Sequence, residues 1–306
     1  MKKLISYCLI VTVSFTCISQ QSNYPYKWPM YNDINVDLSV ENPSFKFNDG
    51  PLVMIDAAHK NFFVQSHLIK PLVDIVLNDG YRVSFIDKTL TRENLNQAKI
   101  LIIITALPFD FATRRSAAEM QTFTENELNE VQAWVKNGGS LLVFSEHAPF
   151  DQAINPLLKK FEIESSVGVT IDTLNYDKSY NSRMIVFKGE NLNNSHPLVN
   201  GKYEVKKLVS FGGSALSGEK YDNILRLGNS SLNVRHQTGN GPIGRGNSQG
   251  LAGFYGKGKV VAFGDSNGFT AMIFDNEDGS KMYAGMNSKG YDWKNFVLNT
   301  FDWLSK

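Results

Sequence analysis

The chain has 306 residues, of which 42% are hydrophobic and 20% charged, and its formal net charge at pH 7 is +1. These values are ordinary for a globular protein, and the length fits one α/β domain with extensions. The sequence has no basic stripe and no acidic block, which argues against nucleic-acid binding and against a charged solvating tail.

The N-terminus has the pattern of a secretory signal peptide, which we assign to residues 1–19. A lysine pair precedes an apolar stretch at 4–16, and small residues before Gln20 would permit cleavage there. The apolar stretch is too short for a stable membrane-spanning helix, and no later segment is long and apolar enough for one. We therefore expect an exported protein, periplasmic or secreted. Lipid attachment at Cys17 is the alternative, which the bulky Phe15 disfavours.

Both cysteines of the chain, Cys8 and Cys17, fall in this N-terminal segment. The remainder has no thiol, so it can form no disulfide, no cysteine-ligated metal site and no cysteine nucleophile.

The first half of the chain alternates apolar runs with segments of helical periodicity. Residues 20–50, rich in Asn, Pro, Tyr and Ser, are interpreted as an extended lead-in to a domain spanning 51–306. Strands are predicted at 52–55, 81–86, 100–105 and 140–144, and helices at 62–78 and from 125 to the glycine pair at 138–139. Thr124 and Glu127 form a capping box for the second helix. This order predicts a doubly wound, mostly parallel sheet.

The second half of the chain gives a weaker pattern. A helix is predicted at 151–161, followed by a β-rich, loop-rich insertion at about 162–250. Strand-like pieces in this insertion lie at 183–187, 208–211 and 223–227. A hairpin is predicted from 250–255 and 259–263, turning at a Gly-Lys-Gly sequence, and a last helix at about 292–304.

Three of the predicted strands are each followed directly by a polar cluster. Asp56 to Asn61 follow the first strand, Ser145 to His147 follow the fourth, and Gly264 to Asn267 follow the second strand of the hairpin. Ligands of open parallel α/β sheets bind beyond the carboxyl ends of the strands. The sequence therefore predicts one shared site at this edge.

The residue types in these clusters suggest several roles. Candidate acid–base residues are Glu146, His147 and Asp265, and candidate ligand-binding residues are Asp56, His59, Asn61 and Asn267. His59 and His147 are candidate ligands of a divalent metal ion in a mixed nitrogen and oxygen site, although no helix-borne HExxH spacing is present. The structural alternatives are a helix cap at Asp56, a surface role for His59, and loop hydrogen bonds for the other side chains.

A glycine-rich loop at 239–250 provides a further candidate for ligand contact. Arg235 and Arg245 flank or lie within it and would offer donors to an anion or a sugar. The loop lacks the GK[ST] ending of a P-loop, which argues against nucleotide binding. The alternative is a plain surface loop.

From about residue 40 to 304 the chain resembles a family of exported bacterial proteins of unknown function with a class I glutamine-amidotransferase-like domain. The resemblance implies a flavodoxin-like α/β sandwich. The matching residues are Asn42-Pro43, Gly50-Pro51, Asp56 to Phe62, Gly80-Tyr81, Trp134 to Leu141, Glu146 to Phe150, His196-Pro197, Gly256 to Asp265, Gly285 to Asn287, Asp292 and Asn295-Phe296.

The chain departs from a working amidotransferase at the nucleophile. The matching strand leads into Ser145-Glu146-His147 with no cysteine, and Ser145 lacks the flanking glycines of a G-x-S-x-G elbow. Relatives of this fold without the cysteine include non-catalytic domains of carbohydrate-active proteins. One hypothesis is therefore a module that binds a small polar or saccharide ligand. The other is a metal-dependent hydrolase, in which Glu146 or Asp265 acts as base, the two histidines bind metal or supply the acid, and Asp56 orients a histidine.

Overall fold

The structure, a computed structural model, describes residues 30–113, 120–235, 242–244 and 246–306. The predicted signal peptide at 1–19 and part of the lead-in therefore lie outside the described residues. The helices are α1 (Phe62–Gln65), α2 (Lys70–Asn78), α3 (Arg92–Leu95), α4 (Glu125–Lys136), α5 (Phe150–Lys160) and α6 (Trp293–Ser305). The strands are β1 (Met30–Asn32), β2 (Leu52–Asp56), β3 (Arg82–Ile86), β4 (Ile100–Ile103), β5 (Ser140–Phe144), β6 (Glu164–Ser165), β7 (Val169–Asp172), β8 (Val186–Lys188), β9 (Lys207–Val209), β10 (Leu216–Ser217), β11 (Asp222–Arg226), β12 (Ser231–Val234), β13 (Pro242–Gly244), β14 (Ser248–Tyr255), β15 (Gly258–Phe263), β16 (Ala271–Asp275) and β17 (Lys281–Gly285).

The central sheet confirms the predicted mixed α/β architecture with a parallel core. Strands β3, β2, β4, β5 and β15 lie side by side in that order and are all parallel. β14 then adds antiparallel to β15, and β10, β6 and β11 extend this antiparallel end. Further antiparallel sheets form from β1, β16 and β17, from β7, β12 and β13, and from β8 and β9.

The sheet is buried on both faces, and alternate residues of each strand serve different cores. On β4, Ile100 and Ile102 pack in a cluster that includes residues of α2 and α6, whereas Leu101 and Ile103 pack in a cluster with residues of α4 and α5. All four side chains are fully buried. This explains why β4 is a continuous apolar run rather than an alternating one.

The predicted strand pieces at 183–187 and 208–211 are β8 and β9, with bounds shifted by one to three residues. Two other predicted elements are wrong at or near a residue with positive φ. The predicted helix at 62–78 is divided into α1 and α2, because His67 has φ +60° between them. The predicted strand at 100–105 ends at Ile103, and Thr105 has φ +50°. A residue in the left-handed conformation interrupts a helix or a strand. This conformation is uncommon in residues other than glycine, so the sequence pattern does not indicate it.

The lead-in and the C-terminal region hold a sheet that the sequence analysis missed. Residues 30–32 of the lead-in form β1, which pairs antiparallel with β16, and β16 pairs with β17. By contrast, the predicted hairpin is confirmed, with Tyr255 opposite Gly258 across the turn between β14 and β15.

Helix α6 joins the sheet to the segment before β9. The buried Asn299 donates from Nδ2 to the carbonyls of Leu198 (3.3 Å) and Tyr203 (2.6 Å), and its Oδ1 accepts from the Tyr203 N–H (2.9 Å). At the start of the helix, Trp293 is buried and its Nε1 donates to the Val209 carbonyl at 2.9 Å. Its ring lies against Gly268, where a Cβ would come within 2.4 Å of ring atoms. None of the described helices is long and apolar enough to cross a membrane.

Candidate functional site

The three polar clusters lie at the carboxyl edge of the sheet, but they divide into two groups. β5 and β15 are neighbours, so Glu146 and Asp265 meet, whereas β4 separates β2 from β5. Two strand spacings amount to about 10 Å. Among the described residues, no hydrogen bond or ion pair joins Asp56 or His59 to Glu146 or Asp265. The described residues thus form two clusters without a direct bond between them, and a single shared site stays a prediction.

The first cluster holds His59 between two carboxylates. Its Nδ1 lies 2.9 and 3.0 Å from the Asp56 carboxylate oxygens, and its Nε2 lies 3.2 Å from Glu127 Oε1. Burial lowers the pKa of His59, but the hydrogen bonds and charges of Asp56 and Glu127 outweigh it, so the pKa lies above its ordinary value. The two carboxylates thus favour the protonated form of His59, and its contacts with them join the β2 turn to α4.

Glu127 was not among the predicted site residues, although the sequence marked it as part of a capping box. It forms that box with Thr124, and its Oε1 also accepts the Leu90 N–H at 3.1 Å. Both ring nitrogens of His59 face carboxylates, so neither presents a lone pair to a metal ion. The predicted metal-ligand role of His59 gains no support from this geometry.

Asn61 also serves the local fold. It caps α1, its Nδ2 donates to the Asp56 carbonyl at 3.0 Å, and its Oδ1 accepts from Thr105 Oγ1 at 3.1 Å. Asn61, rather than Asp56, is therefore the helix cap. The predicted ligand-binding roles of Asp56, His59 and Asn61 gain no support, because protein groups already engage their polar atoms.

The second cluster centres on Glu146, which occupies the turn between β5 and α5. Its φ is +54°, in the left-handed region, and its side chain is only 3% exposed. Oε1 accepts from the Ser266 N–H at 2.6 Å and from the Ser266 hydroxyl, and Asn267 Nδ2 lies at 3.4 Å. The strained position of this strand-to-helix elbow is thus occupied by a carboxylate tied to the loop after β15.

Asp265 forms a buried carboxyl pair with Glu146. Its Oδ1 accepts from the backbone and side-chain amides of Asn267 at 2.9 and 2.7 Å, and its Oδ2 accepts from the Phe211 N–H. Burial and then the charge of Glu146 raise the pKa of Asp265 to about 7. Burial also raises the pKa of Glu146, and hydrogen bonding with Ser266, His147 and Asp265 opposes this shift. Both acids of the pair therefore hold their protons to a higher pH than exposed carboxyl groups do.

His147 lies at the mouth of this cluster, with 28% of its side chain exposed. Its Nδ1 donates to the Ala148 carbonyl at 2.8 Å, which places the lone pair of the neutral ring on Nε2, 3.9 Å from Glu146 Oε2. Burial lowers its pKa below the ordinary value, and the charge of Arg183 acts in the same direction. Burial and the charge of Arg183 thus both disfavour the protonated form of His147.

Three residues near this cluster were missed in the sequence analysis. Asp151 lies four residues after His147 on α5, and burial raises the pKa of this carboxyl. Its place in the first turn of the helix that follows the Ser145-Glu146-His147 cluster is a signal that could have found it. Arg183 and Phe211 come from the insertion, where the sequence carries no comparable signal.

The predicted contribution of the glycine-rich loop is only partly described. Arg235 directly follows β12 and is exposed, whereas Arg245 and 236–241 lie outside the described residues. Within the described part of the chain, no group of three or more His, Cys, Asp and Glu side chains is arranged to hold a metal ion.

Comparison with known proteins places the chain by fold only. No protein-family model and no curated protein matches it. Among solved structures, it is similar to the mmIFT52 N-terminal domain, at 18% identity over 83% of this chain and 97% of that one, with a TM-score of 0.59. A thua-like protein from Parabacteroides merdae matches at 12% identity over 84% of this chain and 91% of that one, with a TM-score of 0.47. A cytoplasmic protein from Salmonella typhimurium, STM1381, matches at 12% identity over 83% and 99%, with a TM-score of 0.48. The first similarity shows a shared fold, and the two weaker ones add no argument about function.

Proposed function

We propose that the chain binds a small polar ligand, with saccharides as the candidate class, at the cluster of Glu146, His147, Asp265 and Asn267. The observation that carries this proposal is the elbow. Its strained position holds Glu146, whose carboxylate is satisfied by the Ser266 amide and hydroxyl, so it presents no nucleophile. The cluster is organised to position polar atoms.

The polar atoms at the mouth of the cluster favour a hydroxyl-rich ligand. Asn267 Nδ2 is used by Asp265 and Glu146, which leaves Oδ1 as an acceptor, and the partly exposed imidazole of His147 adds a second polar group. A sugar hydroxyl can donate to such groups. The resemblance to cysteine-free relatives in carbohydrate-active proteins supports the same class.

A saccharide panel tests the binding proposal. We would titrate mono- and disaccharides into the protein and follow binding by NMR and calorimetry. The titration would be repeated with His147→Phe, which keeps an aromatic ring but removes the ring nitrogens. We expect at least one sugar to bind and its affinity to fall about tenfold in the variant, the loss of one good hydrogen bond. The matched control, His67→Phe on the surface, should bind as the unmodified protein does. Absence of binding by any sugar or other polyol would contradict the proposal.

The carboxyl pair favours one second candidate, which is acid–base hydrolysis. Because Asp265 holds its proton up to a pH of about 7 beside Glu146, the pair can supply both an acid and a base. A chromogenic glycoside and ester panel would reveal it. We expect the rate to fall as the pH rises through about 7, where Asp265 loses its proton, and to be abolished in Asp265→Asn. A protein that binds a sugar but cleaves no substrate leaves binding as the function.

A further inference from the structure

A cleft of about 600 Å³ adjoins the candidate site and is built from four distant segments. It is lined by residues of 33–37, 177–180, 209–211 and 283–291. Phe211 connects it to the site, because this residue lines the cleft while its N–H donates to Asp265. A volume of this size accommodates an organic molecule larger than a single ion.

Aromatic rings provide much of the cleft surface. Tyr180 and Tyr283 are 41% and 40% exposed, and Phe211 and Tyr291 complete the aromatic lining. Ring faces carry a negative quadrupole, so they attract cations as well as apolar groups.

Asp177 contributes a carboxylate that is kept charged. Its Oδ1 accepts the Ser179 N–H at 2.9 Å and its Oδ2 accepts the Tyr291 hydroxyl. Burial raises the pKa of Asp177, but these hydrogen bonds outweigh it and hold the pKa below the ordinary value. Each carboxylate oxygen can accept a second donor.

Asn287 also lines the cleft and holds one of its carboxylates in place. Its Nδ2 donates to Asp33 Oδ2 (3.2 Å) and to the Met272 carbonyl (3.1 Å), which fixes the orientation of the amide. Its Oδ1 is buried without accessible surface, so a ligand in the cleft would not reach it.

We propose that this cleft binds a compact organic cation, an ammonium group attached to an apolar body. The ammonium would donate to the carboxylates of Asp33 and Asp177, and the apolar body would lie on the tyrosine rings. The charge of the lining favours a cation, because it contains the carboxylates of Asp33, Asp37 and Asp177 but only one lysine, the exposed Lys289. Asp37 is exposed and is paired with Lys294 at 3.6 Å, so the argument depends on the other two carboxylates.

Benzylammonium and benzyl alcohol form a matched pair of probes, since they differ in the ammonium group alone. Saturation-transfer NMR and calorimetry with the full chain should show benzylammonium binding at least about tenfold more tightly than the alcohol, and binding should weaken with added salt. Asp33→Asn and Asp177→Asn should each weaken it about tenfold. Asp74→Asn, an exposed aspartate paired with Lys70 on α2, is the matched control and should leave it unchanged.

Three results would overturn this proposal: no benzylammonium binding, equal binding of the neutral alcohol, or binding that both aspartate variants leave intact. Tyr283→Ala removes an exposed ring that makes no buried side-chain hydrogen bond. Its weaker binding of benzylammonium would therefore support the cleft as the binding site even where an aspartate variant folds poorly. Glu146→Gln should not change benzylammonium binding, which separates this cleft from the saccharide proposal.

Discussion

Buried ionisable side chains are the main chemical feature of this protein at the scale of single residues. The cationic form of His59 is favoured between Asp56 and Glu127, whereas burial raises the pKa values of the neighbouring acids Glu146 and Asp265. The first arrangement neutralises buried charge by pairing, and the second does so by protonation. The two clusters therefore respond to pH for different reasons.

The carboxyl pair predicts that the stability of the protein depends on pH, and that one substitution should weaken this dependence. The folded pKa of Asp265, about 7, lies above its ordinary value of 3.8. The folded state thus binds more protons between these values, and stability falls as the pH rises through this window. Glu146→Gln removes the charge beside Asp265. As the pH rises from about 4 to about 7, the free energy of unfolding of the variant should therefore fall by roughly 2 kcal/mol less than that of the unmodified protein.

Urea unfolding at several pH values measures this difference. Glu164→Gln, at an exposed position on β6, is the matched control and should follow the unmodified protein. Equal pH dependence in Glu146→Gln and the unmodified protein would contradict an effect of the Glu146 charge on Asp265.

At the scale of elements, the elbow between β5 and α5 sets the candidate site. A side-chain-bearing residue at φ +54° is held there by bonds to the loop after β15. Strained backbone of this kind often marks a functional position. The amidotransferase resemblance expects a nucleophile in this turn, and this chain instead uses the turn to place an acceptor beside its neighbouring strand.

Two substitutions at the elbow separate backbone strain from the loss of the carboxylate. Glu146→Gly and Glu146→Ala both remove the carboxylate, but glycine adopts positive φ at no steric cost. We expect Glu146→Gly to be more stable than Glu146→Ala by about 1 kcal/mol in chemical denaturation. At Glu164, in an extended strand, the order of the same pair should reverse. Equal stability of the two Glu146 variants would show that the turn is not strained.

The sequence predicts which segments form strands better than it predicts which strands lie side by side in the sheet. Apolar runs identified β2, β4, β5 and the β14–β15 hairpin, because burial on both faces leaves a local signal. The order of strands in the sheet is not encoded locally. The sequence therefore did not indicate that β4 lies between β2 and β5 and separates His59 from Glu146. β1 and β16 pair across more than 200 residues, and that pairing has no signature in either segment.

The candidate site divides in the same way. Glu146, Asp265 and Asn267 were predicted together because each follows a strand end, and β5 and β15 happen to be neighbours. Arg183 and Phe211 reach the site from the insertion, and only the tertiary structure reveals them. Arg245 lies outside the described residues, so its predicted role stays a prediction.

At the scale of the whole molecule, the insertion and the sheet share one hydrophobic core. Ile185, Phe187 and Leu208 belong to the same buried cluster as Phe144 and Phe296. Helix α6 also connects the two regions, because Asn299 bonds to the backbone of Leu198 and Tyr203 in the insertion. A core that crosses between regions favours cooperative unfolding.

Asn299→Leu should therefore destabilise the whole chain rather than release one part. The substitution leaves the buried Leu198 carbonyl and the partly buried Tyr203 carbonyl and N–H without these partners, and we expect a loss of about 2–4 kcal/mol in the free energy of unfolding. Tryptophan fluorescence and far-UV circular dichroism should still report one coincident transition. Asn295→Leu on the same helix, which removes a single exposed bond to the Glu204 carbonyl, should cost less than about 1 kcal/mol. Separate transitions for the two probes would contradict a shared core.

The position of Trp293 gives this protein a built-in optical probe. Its ring packs on Gly268, the residue after Asn267, and its Nε1 donates to Val209, which lines the tyrosine-rich cleft. The indole thus touches the loop of the carboxyl pair on one side and the wall of the cleft on the other. Near-ultraviolet circular dichroism of this rigid chromophore would register occupancy of either site without a label, and the Trp293→Phe difference spectrum would assign the signal.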